Sequence, residues 1–214
     1  MGSTTEQIKD WSSDFGRDYT ARNPRNMTEM DALYHQSFGI TRTRLNEKFL
    51  AEVDRTSAML EVGCNVGTQL AGLQNLGFSR LVGIDVQFYA LELARRHNPG
   101  AAFLRAPALD LPFKDQAFDL VFTSGVLIHI SPQDLGRALG EIHRCSRRFI
   151  WGWEYFHDTC AMIPYRGRDN LLWKANFAQL YLERFPDLEI VREERIAYLA
   201  SDNVDTMFLL RKKG

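Results

Sequence analysis

The sequence predicts an α/β fold, with a mostly parallel sheet between helices, on three observations. Residues 58–62 (AMLEV) form a short apolar run that breaks into a Gly-punctuated turn, GCNVG, at 63–67. A helix then carries Leu70, Leu73 and Leu76 on one face and stops at Gly77. Strand-length apolar runs alternate with helical segments as far as residue 153, and two β-rich runs, 188–196 and 204–211, close the chain. A strand–turn–helix unit sets backbone N–H groups and small residues at the carboxyl end of a strand, where open α/β sheets bind ligands.

Composition narrows the class. The chain has 214 residues, one domain's worth, with 45% hydrophobic and 25% charged residues, ordinary for a soluble globular protein. A formal net charge of -1 gives no electrostatic case for nucleic acid or an anionic membrane. Cys64, Cys145 and Cys160 are too few and scattered for a disulfide framework or zinc site. No apolar run reaches membrane-spanning length and no signal peptide opens the chain, so a cytoplasmic protein is expected.

The elements follow in order. Residues 1–28 form a polar arm whose spaced aromatics, Trp11, Phe15 and Tyr19, cannot make a core of their own. The arm is expected to fold over something: a lid with Tyr19, Arg22 and Asn23 turned inward, or a strap on the sheet edge. Two helical stretches split near Phe38-Gly39 lead to the first strand. The second strand, 81–85, ends in Asp85; a helix over 88–97 stops at Asn98-Pro-Gly100; the third strand is 101–105. The fourth, 119–124, runs into GVLIHI at 125–130, and Ser131-Pro132 with Asp134 marks a helix start. That helix runs to about Cys145, and the fifth strand is 148–153. Residues 154–169 are irregular, the expected place for a specificity loop, and a helix is expected over 170–184.

What the first turn binds is narrowed by its glycines. Gly63 and Gly67 suit positions where a side chain would block a ligand lying against the backbone, and Asn65 tolerates left-handed dihedrals. A dinucleotide fingerprint would need glycine at 63, 65 and 68, and the chain has Asn65 and Thr68. Glu61 followed by Gly-x-x-x-Gly, with Asp85 ending the next strand, resembles motif I of the class I S-adenosylmethionine-dependent methyltransferases. An ordinary Rossmann turn with an incidental acid is the alternative. The resemblance implies a Rossmann-like seven-stranded, mostly parallel sheet with an antiparallel last strand and an N-terminal helical lid. It implies S-adenosylmethionine as cofactor and S-adenosylhomocysteine as product. Glu61, Gly63, Cys64, Asn65 and Gly67 would line the cofactor turn, Asp85 and Val86 would take the ribose, and Ser124 and Gly125 would border the methionine moiety. Tyr19 and Arg22 would close from the lid. Where the family usually has Gly-Asp at the adenine, this chain has Ala106-Pro107, which leaves adenine to the backbone of Ala108 and Leu109 or to another side chain.

A narrower resemblance spans nearly the whole chain. Phe15-Gly16, Tyr19, Arg22-Asn23, GVLIHI at 125–130, Tyr165-Arg166-Gly167, Leu172-Trp173-Lys174 and RFPDL at 184–188 are similar to the pseudaminic acid biosynthesis-associated methylases. That similarity implies O- or N-methylation of a small polar metabolite: a sugar, nonulosonic acid or nucleotide-linked sugar in a bacterial pathway. Other readings are methylation of another small acidic natural-product intermediate, or SAM binding without catalysis. The expected organisation is a lid and helices over 1–54 and a core over 55–214 with a substrate loop at 154–169, together one structural domain. The partner would be a small-molecule methyl acceptor, with neither nucleic acid nor membrane; no feature points to an oligomeric state.

Methyl transfer from a sulfonium is an in-line displacement that needs alignment, exclusion of water and sometimes removal of a proton. It requires no metal, and no ligand-spaced His/Asp/Glu cluster is present. His129 is the candidate general base, or a histidine that shapes the pocket. Glu154 is the second catalytic candidate, able to hold an amine or sugar hydroxyl, against a solvated acid at a strand end. Tyr155, Tyr165, Arg166 and Trp173 are the candidate substrate contacts. Arg166 and Arg168 would fork onto a carboxylate or phosphate, or simply lie on the surface. Trp151, Trp153 and Trp173 could offer faces to a sugar ring, but the two strand tryptophans, Trp151 and Trp153, fit a core better.

Overall fold

The computed structural model describes residues 4–213; residues 1–3 and 214 of the expected organisation lie outside the described residues. Its centre is β1 (Ala58–Val62), buried along its whole length. A strand covered on both faces must be apolar throughout, as AMLEV is apart from its acid. Around it run β2 (Arg80–Asp85), β3 (Ala101–Arg105), β4 (Phe118–Ser124), β5 (Ser146–Tyr155), the short β6 (Ala161–Met162) and β7 (Trp173–Lys174), and finally β8 (Leu188–Ala197) and β9 (Val204–Lys212). The main sheet has seven strands in the order β3-β2-β1-β4-β5-β9-β8. Strands β1 to β5 pair in parallel, while β9 is antiparallel to both β5 and β8. The strand order turns back between β1 and β4, the switch point that opens a crevice in such sheets. This is the Rossmann-like sheet with its antiparallel last strand that the sequence predicts.

The helices are α1 (Glu6–Ser12), α2 (Asp14–Arg22), α3 (Met27–Phe38), α4 (Arg42–Phe49), α5 (Thr68–Asn75), α6 (Phe88–His97), α7 (Pro132–Cys145) and α8 (Phe177–Arg184). Alternation along the strands sorts the core to two sides of the sheet. Leu60, Val62, Val121 and Ile150 pack with Leu135, Leu139 and Ile142 of α7 and with Phe177 and Tyr181 of α8. Met59, Leu120, Phe122 and Trp151 pack with Leu45 and Phe49 of α4 and with Leu70, Leu73 and Leu91. Each such large apolar side chain contributes about 1.5–3 kcal/mol by leaving water. Among the described residues no helix is long and apolar enough to cross a membrane.

Local chemistry sets the ends. Ser131 accepts a hydrogen bond from the Asp134 N–H and Pro132 occupies the first turn of α7, as the sequence suggests. Gly39, at φ 73°, ends α3 in the left-handed region. One expectation is corrected. The helix expected over 170–184 begins only at Phe177, because Trp173–Lys174 pair with Ala161–Met162 and Asn176 caps the Gln179 N–H. The N-terminal arm is helical, as the resemblance implies, with Thr5 and Ser13 as caps for α1 and α2.

Candidate active site

At the carboxyl ends of β1, β2 and β4 lies a cavity of about 500 Å³, roofed by α1 and α2 and extended toward β5 and β9. Its floor is the turn after β1. Gly63 (φ 76°) and Cys64 donate backbone N–H groups to the Ile84 carbonyl at 2.8 and 2.9 Å, which folds the chain back over β2. A Cβ on Gly63 would lie 2.5 Å from Val126 Cγ2, so glycine is required by packing as well as by φ. Asn65 adopts φ 46°. Its N–H donates to Asp85 Oδ2 at 2.8 Å, its Oδ1 accepts from the Val66 N–H, and its Nδ2 donates to Thr20 Oγ1 at 3.0 Å. The side chain thereby stitches the turn to α2.

Two acids face this floor. Asp85 also accepts from the Gln87 N–H at 2.8 Å; burial raises its carboxyl above the usual range while these backbone bonds act against the rise. Glu61 is 3% exposed and its Oε2 has no hydrogen-bond partner. Burial pushes the Glu61 carboxyl well above the ordinary range, with the Arg42 charge opposing it. An unpartnered buried acceptor on a cavity wall is costly unless a donor arrives.

The roof is aromatic. Trp11 packs edge-on against Phe15 and Tyr19, at 5.2 and 5.1 Å between ring centroids, and stands 4.4 Å from the His129 ring. Gln87 Nε2 donates to the carbonyls of Trp11 and Ser13, which anchors the roof to the start of α6. The arm therefore packs over the turn and the cavity. Arg168 ties the 154–169 segment to the same arm through Asp10, at 3.1 Å.

His129 sits on a 3₁₀ turn, Leu127–His129, with Nδ1 2.6 Å from the Leu171 carbonyl. That carbonyl can only accept, so Nδ1 carries the hydrogen and Nε2 keeps its lone pair. Burial lowers the imidazole to about 4, so it is neutral near neutral pH. Neutrality is the form a proton acceptor needs, although so low a value makes a weak base.

Of the residues singled out in the sequence, Tyr19, Glu61, Gly63, Cys64, Asn65, Asp85, Val86, Ala108, Leu109, Ser124, Gly125, His129, Tyr155 and Tyr165 all line this one cavity. Five are corrected. Gly67 is off the cavity wall; its glycine is required because a Cβ would meet Asn98 Nδ2 at 2.9 Å and Phe103 at 3.0 Å. Arg22 is exposed at the end of α2 and points no group into the cavity, where its neighbour Asn23 stands instead. Arg166 is exposed in a tight turn and lies over the outer ring of Tyr165. Trp173 is buried on β7, off the main cavity. Glu154 is neither solvated nor available to a ligand: it is 1% exposed, and its carboxylate accepts from the N–H groups of Val126 at 3.0 Å and Ile128 at 3.4 Å. It holds the turn that carries His129. Tyr34, Gln87, Tyr198 and Asp205 also line the cavity, and no motif in the sequence marks them.

Residues 60–148 match the methyltransferase domain family. An uncharacterized methyltransferase of Synechocystis sp. is 34% identical over 86 residues, covering 40% of this chain and 40% of that protein. The chain thus matches well under two thirds of that relative's length. Among solved structures, the magnesium protoporphyrin IX methyltransferase of Synechocystis with bound SAH superposes with a TM-score of 0.71 at 15% identity, covering 99% of this chain and 100% of that one. The 1,6-didemethyltoxoflavin-N1-methyltransferase of Burkholderia thailandensis, with bound 1,6-didemethyltoxoflavin and S-adenosylhomocysteine, superposes with a TM-score of 0.69 at 19% identity, covering 100% and 92%. These likenesses establish the fold.

Proposed function

We propose that this chain is an S-adenosylmethionine-dependent methyltransferase acting on a nitrogen or oxygen of a small polar metabolite. The observation that carries the reading is the pairing of Glu61 Oε2, buried and without a partner, with Asp85 on one cavity floor beside the turn at Gly63–Asn65. A ligand with a cationic head and a neighbouring diol satisfies both acids, and S-adenosylmethionine has both. The family match over 60–148 supports the same cofactor.

The residues present fit that group. Glu61 would take the ammonium, Asp85 the ribose hydroxyls, and the backbone of Ala108 and Leu109 the adenine, since Pro107 has no side chain to do it. Bound, the cofactor supplies an electrophilic methyl group on a sulfonium. The chain's part is to exclude water and position the acceptor. Trp11, Tyr19 and Tyr165 cover the cavity from the lid side, and the Leu171 carbonyl holds His129 with Nε2 free to accept a hydrogen bond or a proton from the acceptor. The low affinity of His129 for a proton suits an acceptor hydrogen that is already acidic or a hydrogen-bonding role. The pseudaminic acid-associated resemblance makes a sugar-like acceptor the specific proposal, and the aromatic walls suit a sugar ring face.

Calorimetry with S-adenosylmethionine, S-adenosylhomocysteine and NAD tests the cofactor. Binding of the first two and not the third is expected; binding of NAD alone would overturn the assignment. Transfer of labelled methyl to any acceptor would then exclude a SAM-binding protein without catalysis.

A further inference from the structure

The cavity extends beyond the space the cofactor needs. From Asp85 on β2 to Asp205 at the start of β9 it crosses four inter-strand steps, about 19 Å at the usual spacing of neighbouring strands. The far end is a second chamber, built from α3, β5, the segment after β8 and the start of β9. Its walls are rings: Tyr34, Phe38 and Trp153 lie within 5.1–5.3 Å of one another, and Tyr198 is 4.4 Å from Phe38. Tyr155 stands opposite Asp205 in the β5–β9 register.

Asp205 closes this chamber. It is 1% exposed, lines the cavity, and accepts neutral hydrogen bonds from the Tyr198 hydroxyl, to Oδ2 at 3.2 Å, and from the Trp153 side chain. Its Oδ1 has no partner. Two cations influence it from a distance, Arg42 and Lys174, yet each is engaged elsewhere. Arg42 donates to Asn46 Oδ1 and the Tyr34 hydroxyl and lies over the Trp153 ring; Lys174 donates to Asn203 Oδ1. Among the described residues Asp205 forms no ion pair. A buried carboxylate with one open oxygen is a standing cost to the fold.

We propose that Asp205 and the rings of Tyr34, Phe38, Trp153, Tyr155 and Tyr198 form the acceptor subsite, and that it selects an acceptor bearing a basic amino group. The inference rests on the methyltransferase reading for the word acceptor, and on the chamber alone for the amine. An ammonium supplies the donor Oδ1 lacks and gains further from aromatic faces around it. Burial raises the Asp205 carboxyl to about 7, so near neutral pH an ammonium favours its ionised form whereas an anionic group works against it; the exposed position of Arg166 removes the charge that would have favoured an anion. For the sugar-like acceptor proposed above, this chemistry selects an amino sugar.

The test is binding of benzylamine, benzyl alcohol and benzoate to the full chain, with and without S-adenosylhomocysteine, followed by tryptophan fluorescence. Benzylamine is expected to bind at least tenfold more tightly than the alcohol, with benzoate weakest. D205N should bring amine and alcohol to near equality. D205N should also melt no lower than wild type, whereas a residue kept for the fold would lower the melting temperature. Equal binding of amine and alcohol, no binding of the amine, or a preference that survives D205N would each overturn the proposal. Failure of S-adenosylhomocysteine to bind strikes the methyltransferase reading instead, because the amine preference is also measured in its absence.

Discussion

Glu154 offers a quantitative check on the architecture beneath His129. Its carboxylate is buried and accepts hydrogen bonds from backbone N–H groups and from the Thr123 side chain, and burial raises it from 4.5 to about 7. Between those values the folded state holds a proton that the unfolded state has released, so stability falls as pH rises from about 4.5 and the loss is complete above about 7. A shift of this size corresponds to about 3 kcal/mol in full, of which about 2.5 kcal/mol falls between pH 5 and pH 8. E154Q cannot titrate and removes that slope. The new amide also turns a donor toward the N–H groups of Val126 or Ile128, costing about 2 kcal/mol at every pH. The two effects predict a change of sign: E154Q is less stable than wild type by about 1 kcal/mol at pH 5 and more stable by about 1 kcal/mol at pH 8. Urea unfolding of both proteins, followed by tryptophan fluorescence at pH 5, 6.5 and 8, measures it. Every other titrating group is common to the pair and cancels in the difference. A difference that stays constant with pH would mean that Glu154 titrates alike in folded and unfolded chains, and would refute the buried-clamp argument.

Three further outcomes are expected. H129A should lower turnover by about a hundredfold or more if Nε2 accepts the acceptor's proton, with little change in S-adenosylmethionine affinity; wild-type turnover would leave the ring only a wall of the pocket. In wild type, a value of about 4 should leave the His129 ring without a titration step between pH 5.5 and 7.5, which its ring resonances in an NMR pH titration read directly. G152A places a Cβ 2.2 Å from Cζ of the buried Phe208 ring, an overpacking cost of about 1–3 kcal/mol that denaturant midpoints would reveal. An unchanged midpoint would mean that β5 and β9 separate freely there.

Much of the fold was legible because its signals are local. The burial of β1, the Gly63 turn, the cap at Ser131-Pro132 and the span of α6 each follow from residues adjacent in the chain. The start of α8 was not, because Trp173–Lys174 are drawn into a ribbon by residues 161–162, and helix pattern alone cannot register that competition. Side-chain direction was the other missing quantity. Arg22 and Arg166 have the right chemistry for anions, but a residue type at a helix end or in a turn does not say whether it points inward. Glu154 read as an acid at a strand end; its role as a clamp appears only once β4 and β5 are paired, which brings Val126 and Ile128 over it.

The division between the two halves of the cavity has the same origin. The cofactor half is one continuous turn plus the acid ending the next strand, so spacing in the chain is spacing in space and a motif exists to be read. The proposed acceptor half joins Tyr34, Trp153, Tyr198 and Asp205, up to 171 residues apart, through the placement of β9 between β5 and β8. Asp205 stands one residue inside β9, just ahead of the apolar run MFLL at 207–210, where sheet packing alone would favour a hydrophobic residue. On the proposal above, an acid in that position, at a cost to the fold and with an unpartnered oxygen beside a cavity, has its compensation outside the chain. This is why the assignment of the acceptor's charge turns on Asp205 rather than on the exposed arginines.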